Sequence, residues 1–205
     1  MLEAIWKGFL LGLLLSILIG PVFFLLIKTS IRDGFKNAMV LEAGIFLSDA
    51  VCISLSYLGM AQVLTNPTWR TPISYIGGAL LLVFGAVTFR STPTLREPLE
   101  VPKRDDFIKL FLKGFFFNIS NPSVIFFWIG AVGIAVSEFE GETAHVVGYF
   151  TGTLLVVVGI DVLKAWSAQK LSKLMNESRL RLMSRIAGAG IMAFGLVLWA
   201  KTWFR

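Results

Sequence analysis

Two aspartates, Asp49 and Asp161, stand inside long apolar stretches of the sequence. A carboxylate at mid-depth in a bilayer costs on the order of 2.5–3.5 kcal/mol on insertion scales. Such a group belongs inside a helix bundle, where it can hold a cation, an ammonium group or a proton. Asp49 has no basic residue in its own apolar run. Glu42, Asp49 and Ser56 recur every seven residues and share one helical face, flanked by Ser48 and Cys52. Asp161 is followed three residues later by Lys164, the spacing of a local ion pair near a membrane edge. The spacing leaves open whether Asp161 serves a solute or the fold.

Two prolines lie within apolar runs, each beside a polar or flexible residue: Gly20-Pro21, and Asn121-Pro122 with Asn118 one turn earlier. Proline removes a backbone N–H and opens the preceding turn, so carbonyls near residues 17–18 and 118–119 are expected to lose their helical partners. In lipid those groups need a helix, a polar side chain, water or a solute. The helix restarting after the proline offers N–H groups to a carboxylate, and a nearby aspartate offers a partner to an ammonium. A zwitterionic amino acid carries both charges. The predicted solute and ion pathway is therefore Gly20, Pro21, Glu42, Asp49, Asn118, Asn121, Pro122 and Asp161.

These residues must be placed by elements that the composition defines. The chain has 205 residues, 56% of them hydrophobic and only 16% charged, with a mean hydropathy of +0.76. Soluble domains carry about a quarter charged residues. A run of roughly 20 apolar residues crosses the hydrocarbon core, and six runs are found: Ile5–Ile27, Asn37–Leu64, Pro72–Phe89, Gly114–Val136, Val146–Trp166 and Ile186–Trp203. The expected fold is all-α, a polytopic membrane protein of six transmembrane helices. No small-residue cleavage site follows the first run, which is read as a permanent helix.

The net charge of +6 does not point to nucleic acid, because Lys and Arg sit in short connections. Lys28, Arg32 and Lys36 follow the first run. Arg90, Arg96, Lys103, Arg104 and Lys109 follow the third, and Lys170, Lys173, Arg179, Arg181 and Arg185 follow the fifth. The other two connections hold Arg70 alone, and Glu138, Glu140 and Glu142. Basic short loops stay in the cytoplasm, which predicts the odd-numbered loops inside and both termini outside. Trp6, Trp69, Trp199 and Trp203 would lie near the outer interface and Trp166 near the inner one. Cys52 is the only cysteine, so a disulfide, a CxxC pair and a thiolate metal cage are excluded within the chain.

The halves resemble each other. Ile76-Gly-Gly-Ala-Leu-Leu-Leu-Val-Phe-Gly-Ala-Val87 aligns without a gap on Ile186-Ala-Gly-Ala-Gly-Ile-Met-Ala-Phe-Gly-Leu-Val197. The two proline segments, and Asp49 and Asp161, recur in the same order. Three spans per half is an odd number, so the repeats would be inverted, a recurrent transporter design. The expected organisation is a single membrane domain of residues 1–90 and 107–205 as two inverted three-helix repeats, joined by a proline-bearing cytoplasmic linker at 91–106. Gly8/Gly12 and Gly148/Gly152 have the spacing that permits close helix packing.

Taken in order, Gly20-Pro21, Gly44, Asp49, the segment Gly114-Phe-Phe-Phe-Asn118-Ile-Ser-Asn121-Pro122-Ser-Val-Ile-Phe-Phe127, and Arg185-Ile-Ala-Gly-Ala-Gly…Phe-Gly195 resemble the LysE/RhtB amino-acid exporter family over nearly the whole chain. The resemblance implies a bacterial inner (plasma) membrane efflux protein for amino acids or related metabolites, driven by membrane potential or a proton gradient. It carries Gly20, Pro21, Asp49, Asn121, Pro122 and Asp161 over as pathway residues. This chain has Ile19-Gly20-Pro21 where many threonine- and homoserine-type members show Pro-Gly-Pro. The expected partners are a small-molecule substrate and membrane lipid, with a homodimer left open and no cofactor, catalytic residue or resident metal. Two other classes compete with this reading. A metal-ion exporter would use the carboxylates for hard cations, and an intramembrane aspartyl protease would pair Asp49 with Asp161. The second lacks the Gly-x-Gly-Asp signature at Val158-Gly159-Ile160-Asp161.

Overall fold

A computed structural model describes residues 1–18, 20–64, 70–90, 106–168, 170 and 177–203. Every element it describes is an α-helix: α1 (Leu2–Ser16), α2 (Pro21–Asp33), α3 (Phe35–Leu64), α4 (Arg70–Arg90), α5 (Phe107–Ile119), α6 (Pro122–Glu138), α7 (Thr143–Trp166) and α8 (Glu177–Trp203). The predicted linker at 91–106 falls outside the described residues except for Asp106, as do Trp69, Lys173 and Arg205.

Three helices are long and apolar enough to cross a membrane, and five spans result if each bent pair counts as one. A shorter apolar helix covers Tyr75–Arg90. Leu58, Val83 and Leu155 are 63%, 64% and 69% exposed on the outside of the bundle. A surface with that much apolar exposure is stable against lipid rather than water. The protein is an integral membrane helix bundle.

The bends fall where the sequence breaks the hydrogen-bond ladder. The first predicted run divides into α1 and α2, which meet at 74°, and the fourth divides into α5 and α6, at 67°. Pro21 and Pro122 each stand at the first position of the second helix. There the missing N–H would lack a helical partner in any residue, and the fixed φ suits the helix start. The carbonyls were expected to be freed at the breaks, and one of them is not. Ser120 and Asn121 tighten the end of α5, and the Asn121 N–H reaches the Asn118 carbonyl at 3.0 Å. Helix ends commonly satisfy orphan carbonyls in this way.

Helices also run past the apolar limits read from sequence. α5 begins at Phe107, since residues 107–113 are apolar apart from Lys109 and Lys113, and α8 begins at Glu177, since the charged stretch before Ile186 is rich in helix-forming Glu, Arg, Leu and Met. Asp106 caps α5 by accepting the Lys109 N–H at 3.1 Å. The Lys109 side chain and backbone N–H both hold the Asp106 carboxyl below its ordinary value.

Glycines set how the helices meet. A Cβ on Gly8 would strike the Tyr149 carbonyl, and one on Gly152 the Ile5 carbonyl, so α1 and α7 lie backbone to backbone. Gly44 and Gly114 face Phe111 and Leu41 in the same manner and bring α3 onto α5. On α4 and α8, Gly78 meets Gly195 and Gly85 meets Gly188, so this pair runs antiparallel. Replacing Gly44 with valine is expected to destabilise the fold by about 1–3 kcal/mol, since the obstruction is backbone and cannot swing aside. Thermal unfolding in detergent would show it as a lowered midpoint and reduced folded yield.

Candidate functional site

The two broken helices and α3, α4 and α7 enclose a cavity of about 390 Å³. Solute sites typically occupy about 300–1,000 Å³. Of the pathway residues predicted from sequence, Gly20, Pro21, Asp49, Asn118, Asn121 and Asp161 line it. Pro122 begins α6 immediately after Asn121. Glu42 is buried on α3, one heptad before Asp49, and off the cavity wall.

Asp49 is the centre of the polar lining. Its Oδ1 accepts the Asn118 amide at 2.7 Å and the Trp128 indole N–H at 2.8 Å. Asn118 also reaches Ser48 Oγ at 3.2 Å and the Ile45 carbonyl at 3.4 Å. This network joins α3, α5 and α6, and it fixes one face of the carboxylate. Among the described residues Oδ2 takes no protein hydrogen bond, while the residue itself lines the cavity.

Trp128 and Ser48 were not read as pathway residues. Trp128 is 1% exposed, and a buried indole must place its N–H on an acceptor. A tryptophan six residues into an apolar helix, away from either interface, was the signal that could have found it.

The two proline breaks differ. Asn121 turns its side chain back to accept the Ser123 N–H at 3.1 Å, so it caps α6. Gly20 is extended (φ −127°, ψ −176°), and no side chain caps α2. Gly20, Pro21, Val22 and Phe23 border the cavity, so the start of α2 lies beside that space. The first N–H groups of a helix carry partial positive charge and suit a carboxylate.

On the same cavity wall, Lys164 donates to Asp161 Oδ1 at 2.6 Å with both side chains mostly buried. Sequence spacing suggested a local pair near the cytoplasmic edge. The pair is local, and it also forms part of the cavity wall, with Lys164 Nζ 5.6 Å from the centre of the Phe23 ring. Asp49 and Asp161 each engage other partners and form no carboxylate dyad of the kind an aspartyl protease needs. No group of three or more His, Cys, Asp or Glu side chains gathers into a metal-binding cluster among the described residues. The rest of the wall is apolar and includes Leu18, Phe84, Val87, Phe127 and Val157.

On the far side of the core, α1, α6 and α7 are tied together at their ends. Lys7 bridges Glu3 at 2.6 Å and Glu138 at 2.7 Å, and His145 lies between Glu142 and the chain N-terminus, each at 2.7 Å.

A membrane bundle with two broken helices around a solute-sized cavity, apolar except for a few charged and amide side chains, has the architecture of a transport protein. The LysE type translocator family matches residues 13–202, and the chain belongs to it. It is 30% identical over 190 residues to a Bacillus subtilis (strain 168) protein named for amino acid efflux, YcgF, with 90% of each chain covered. It is 28% identical over 123 residues to a leucine efflux protein of Klebsiella pneumoniae, covering 59% of this chain and 58% of that one. A membrane protein of Escherichia coli K12, YahN, is 26% identical over 187 residues, covering 87% and 81%. No solved structure matches.

Proposed function

We propose that the protein exports amino acids across the bacterial inner membrane by secondary active transport. Six spans are arranged as two inverted three-helix repeats, residues 1–90 and 107–205, with both termini outside. The glycine contacts support this arrangement. In the sequence alignment of the halves Gly78 corresponds to Gly188 and Gly85 to Gly195, so the Gly78–Gly195 contact maps onto Gly188–Gly85 when the halves are exchanged. The α1–α7 and α3–α5 packings exchange in the same way. A two-fold axis that relates antiparallel helices lies in the membrane plane, which is the relation between inverted repeats.

The substrate is a neutral amino acid with an apolar side chain. Its ammonium binds Asp49 Oδ2, its carboxylate sits on the uncapped start of α2 at Gly20-Pro21, and its side chain lies against Leu18, Phe84, Val87 and Phe127. The Lys164–Asp161 pair offers each substrate charge a counter-charge during passage. The observation that carries this reading is the Asp49 carboxylate on the wall of a solute-sized cavity, held on one oxygen by two donors and with no protein hydrogen bond to the other among the described residues. The names of the relatives support amino acids over metal ions as cargo.

The test is efflux from proteoliposomes loaded with a mixture of the twenty amino acids under imposed potential or pH gradients. Leucine-sized apolar amino acids are expected to leave fastest. Absence of gradient-driven loss for every amino acid would defeat the reading.

A further inference from the structure

Glu42 is 4% exposed, and its Oε2 is fully buried with no hydrogen-bond partner. No ion pair is made to it among the described residues. It shares a helical face with Asp49, two turns and about 10 Å along the axis of α3. The charged groups whose fields reach it are Asp49 on its own helix and Asp161 and Lys164 on α7. None from α2, α5 or α6, which also pack against α3, is among them. Glu42, off the cavity wall, therefore lies in the field of two carboxylates and one lysine that line it.

An ionised carboxylate with an unpartnered oxygen is costly in a dry interior. Each positive charge brought near this group relieves that cost for only one of the unpaired acids at a time. The ammonium of a substrate on Asp49 and a proton on Glu42 are two such charges, so each lowers the affinity for the other. This coupling is reciprocal by thermodynamic necessity.

Resting on the amino-acid export reading above, we infer that Glu42 carries the proton that drives export. A proton entering from outside converts the Glu42 carboxylate to the acid as the zwitterion leaves outward. The same proton departs inward as the next zwitterion binds. Each cycle exchanges one proton inward for one neutral substrate outward, so one positive charge crosses per turnover. Glu42 is a coupling residue and touches no substrate atom.

The experiment compares the wild-type protein with Glu42→Gln and Glu42→Asp in proteoliposomes that trap a pH-sensitive dye. Leucine exchange between equal pools on both sides, with no gradient, requires no net proton movement. The Gln variant mimics the protonated acid and so binds leucine more weakly, but it is expected to retain that exchange at saturating leucine. It should lose at least tenfold of both pH-driven leucine accumulation and leucine-dependent proton movement. The Asp variant, which still titrates, should recover proton movement.

Proton movement in the Gln variant equal to that of the wild type overturns the inference, as does a Gln variant that folds but loses exchange. Should Glu42→Gln not fold, the wild type and the Asp variant decide. Leucine transport without proton movement in the wild type overturns the assignment while leaving the export reading intact. No leucine or other amino-acid transport by the wild type removes both.

Discussion

Asp49→Asn is expected to abolish amino-acid efflux while the bundle stays folded. The asparagine side-chain oxygen can still accept the Asn118 and Trp128 donors that reach Asp49 Oδ1 at 2.7 and 2.8 Å, so the link between α3, α5 and α6 survives. What disappears is the negative charge toward the cavity. Losing one partner of a desolvated charge pair costs about 2–5 kcal/mol, or roughly two to three orders of magnitude in substrate affinity. Cells overproducing the variant should lose tolerance to toxic apolar amino-acid analogues, and purified protein should unfold near the wild-type temperature. Trp128→Phe is the contrasting variant, because it keeps the charge and removes one donor to it. Efflux should fall only about tenfold, in line with a charge-assisted hydrogen bond of about 1.5–3 kcal/mol that is partly replaced by water. An Asp49→Asn protein that folds and exports at wild-type rates would show that the cavity carboxylate does not meet the substrate.

The physical signals that the sequence carried most clearly were those of single residues in the wrong solvent. An aspartate without a cation in an apolar run, or a proline within one, announces its constraint locally, and Asp49, Pro21 and Pro122 could be singled out from that alone. Partners set by tertiary packing were less legible. Nothing in the spacing of Trp128 indicates that its indole reaches across to α3, since that contact depends on how α6 bends away from α5. Asn121 shows the opposite limit. Beside a proline its amide suggested a solute contact, yet an asparagine before a helix start is also a favoured cap, and its oxygen is spent on the Ser123 N–H while the residue still borders the cavity. The charged extension of α8 lies beyond the apolar run because hydropathy follows the solvent, whereas backbone hydrogen bonding continues for as long as the residues tolerate a helix; in α5 only Lys109 and Lys113 interrupt the apolar residues before Gly114. The packing senses were not legible either: the glycine contacts set α1 and α7 parallel and α4 and α8 antiparallel, and small-residue spacing alone gives no direction.

The Asp161–Lys164 pair separates a structural role from a transport role through a two-step substitution. Lys164→Met alone leaves Asp161 charged against an apolar wall. Breaking a buried pair from one side costs about 3–5 kcal/mol, a large share of a typical folding free energy of about 5–15 kcal/mol. The single variant is therefore expected to express poorly and to unfold at a much lower temperature. Adding Asp161→Asn removes the orphaned charge, and the double variant should regain most of the lost stability, since replacing both members of a buried pair is often close to neutral. Efflux should not return with it. The wild-type pair, 2.6 Å apart and set in the cavity wall, can open to take the ammonium on Asp161 and the carboxylate on Lys164, whereas asparagine and methionine offer the zwitterion neither charge. Stability and efflux measured on the same two preparations decide the matter. Recovery of both in the double variant would make the pair a brace for α7 and leave Asp49 and the start of α2 as the substrate's charged contacts.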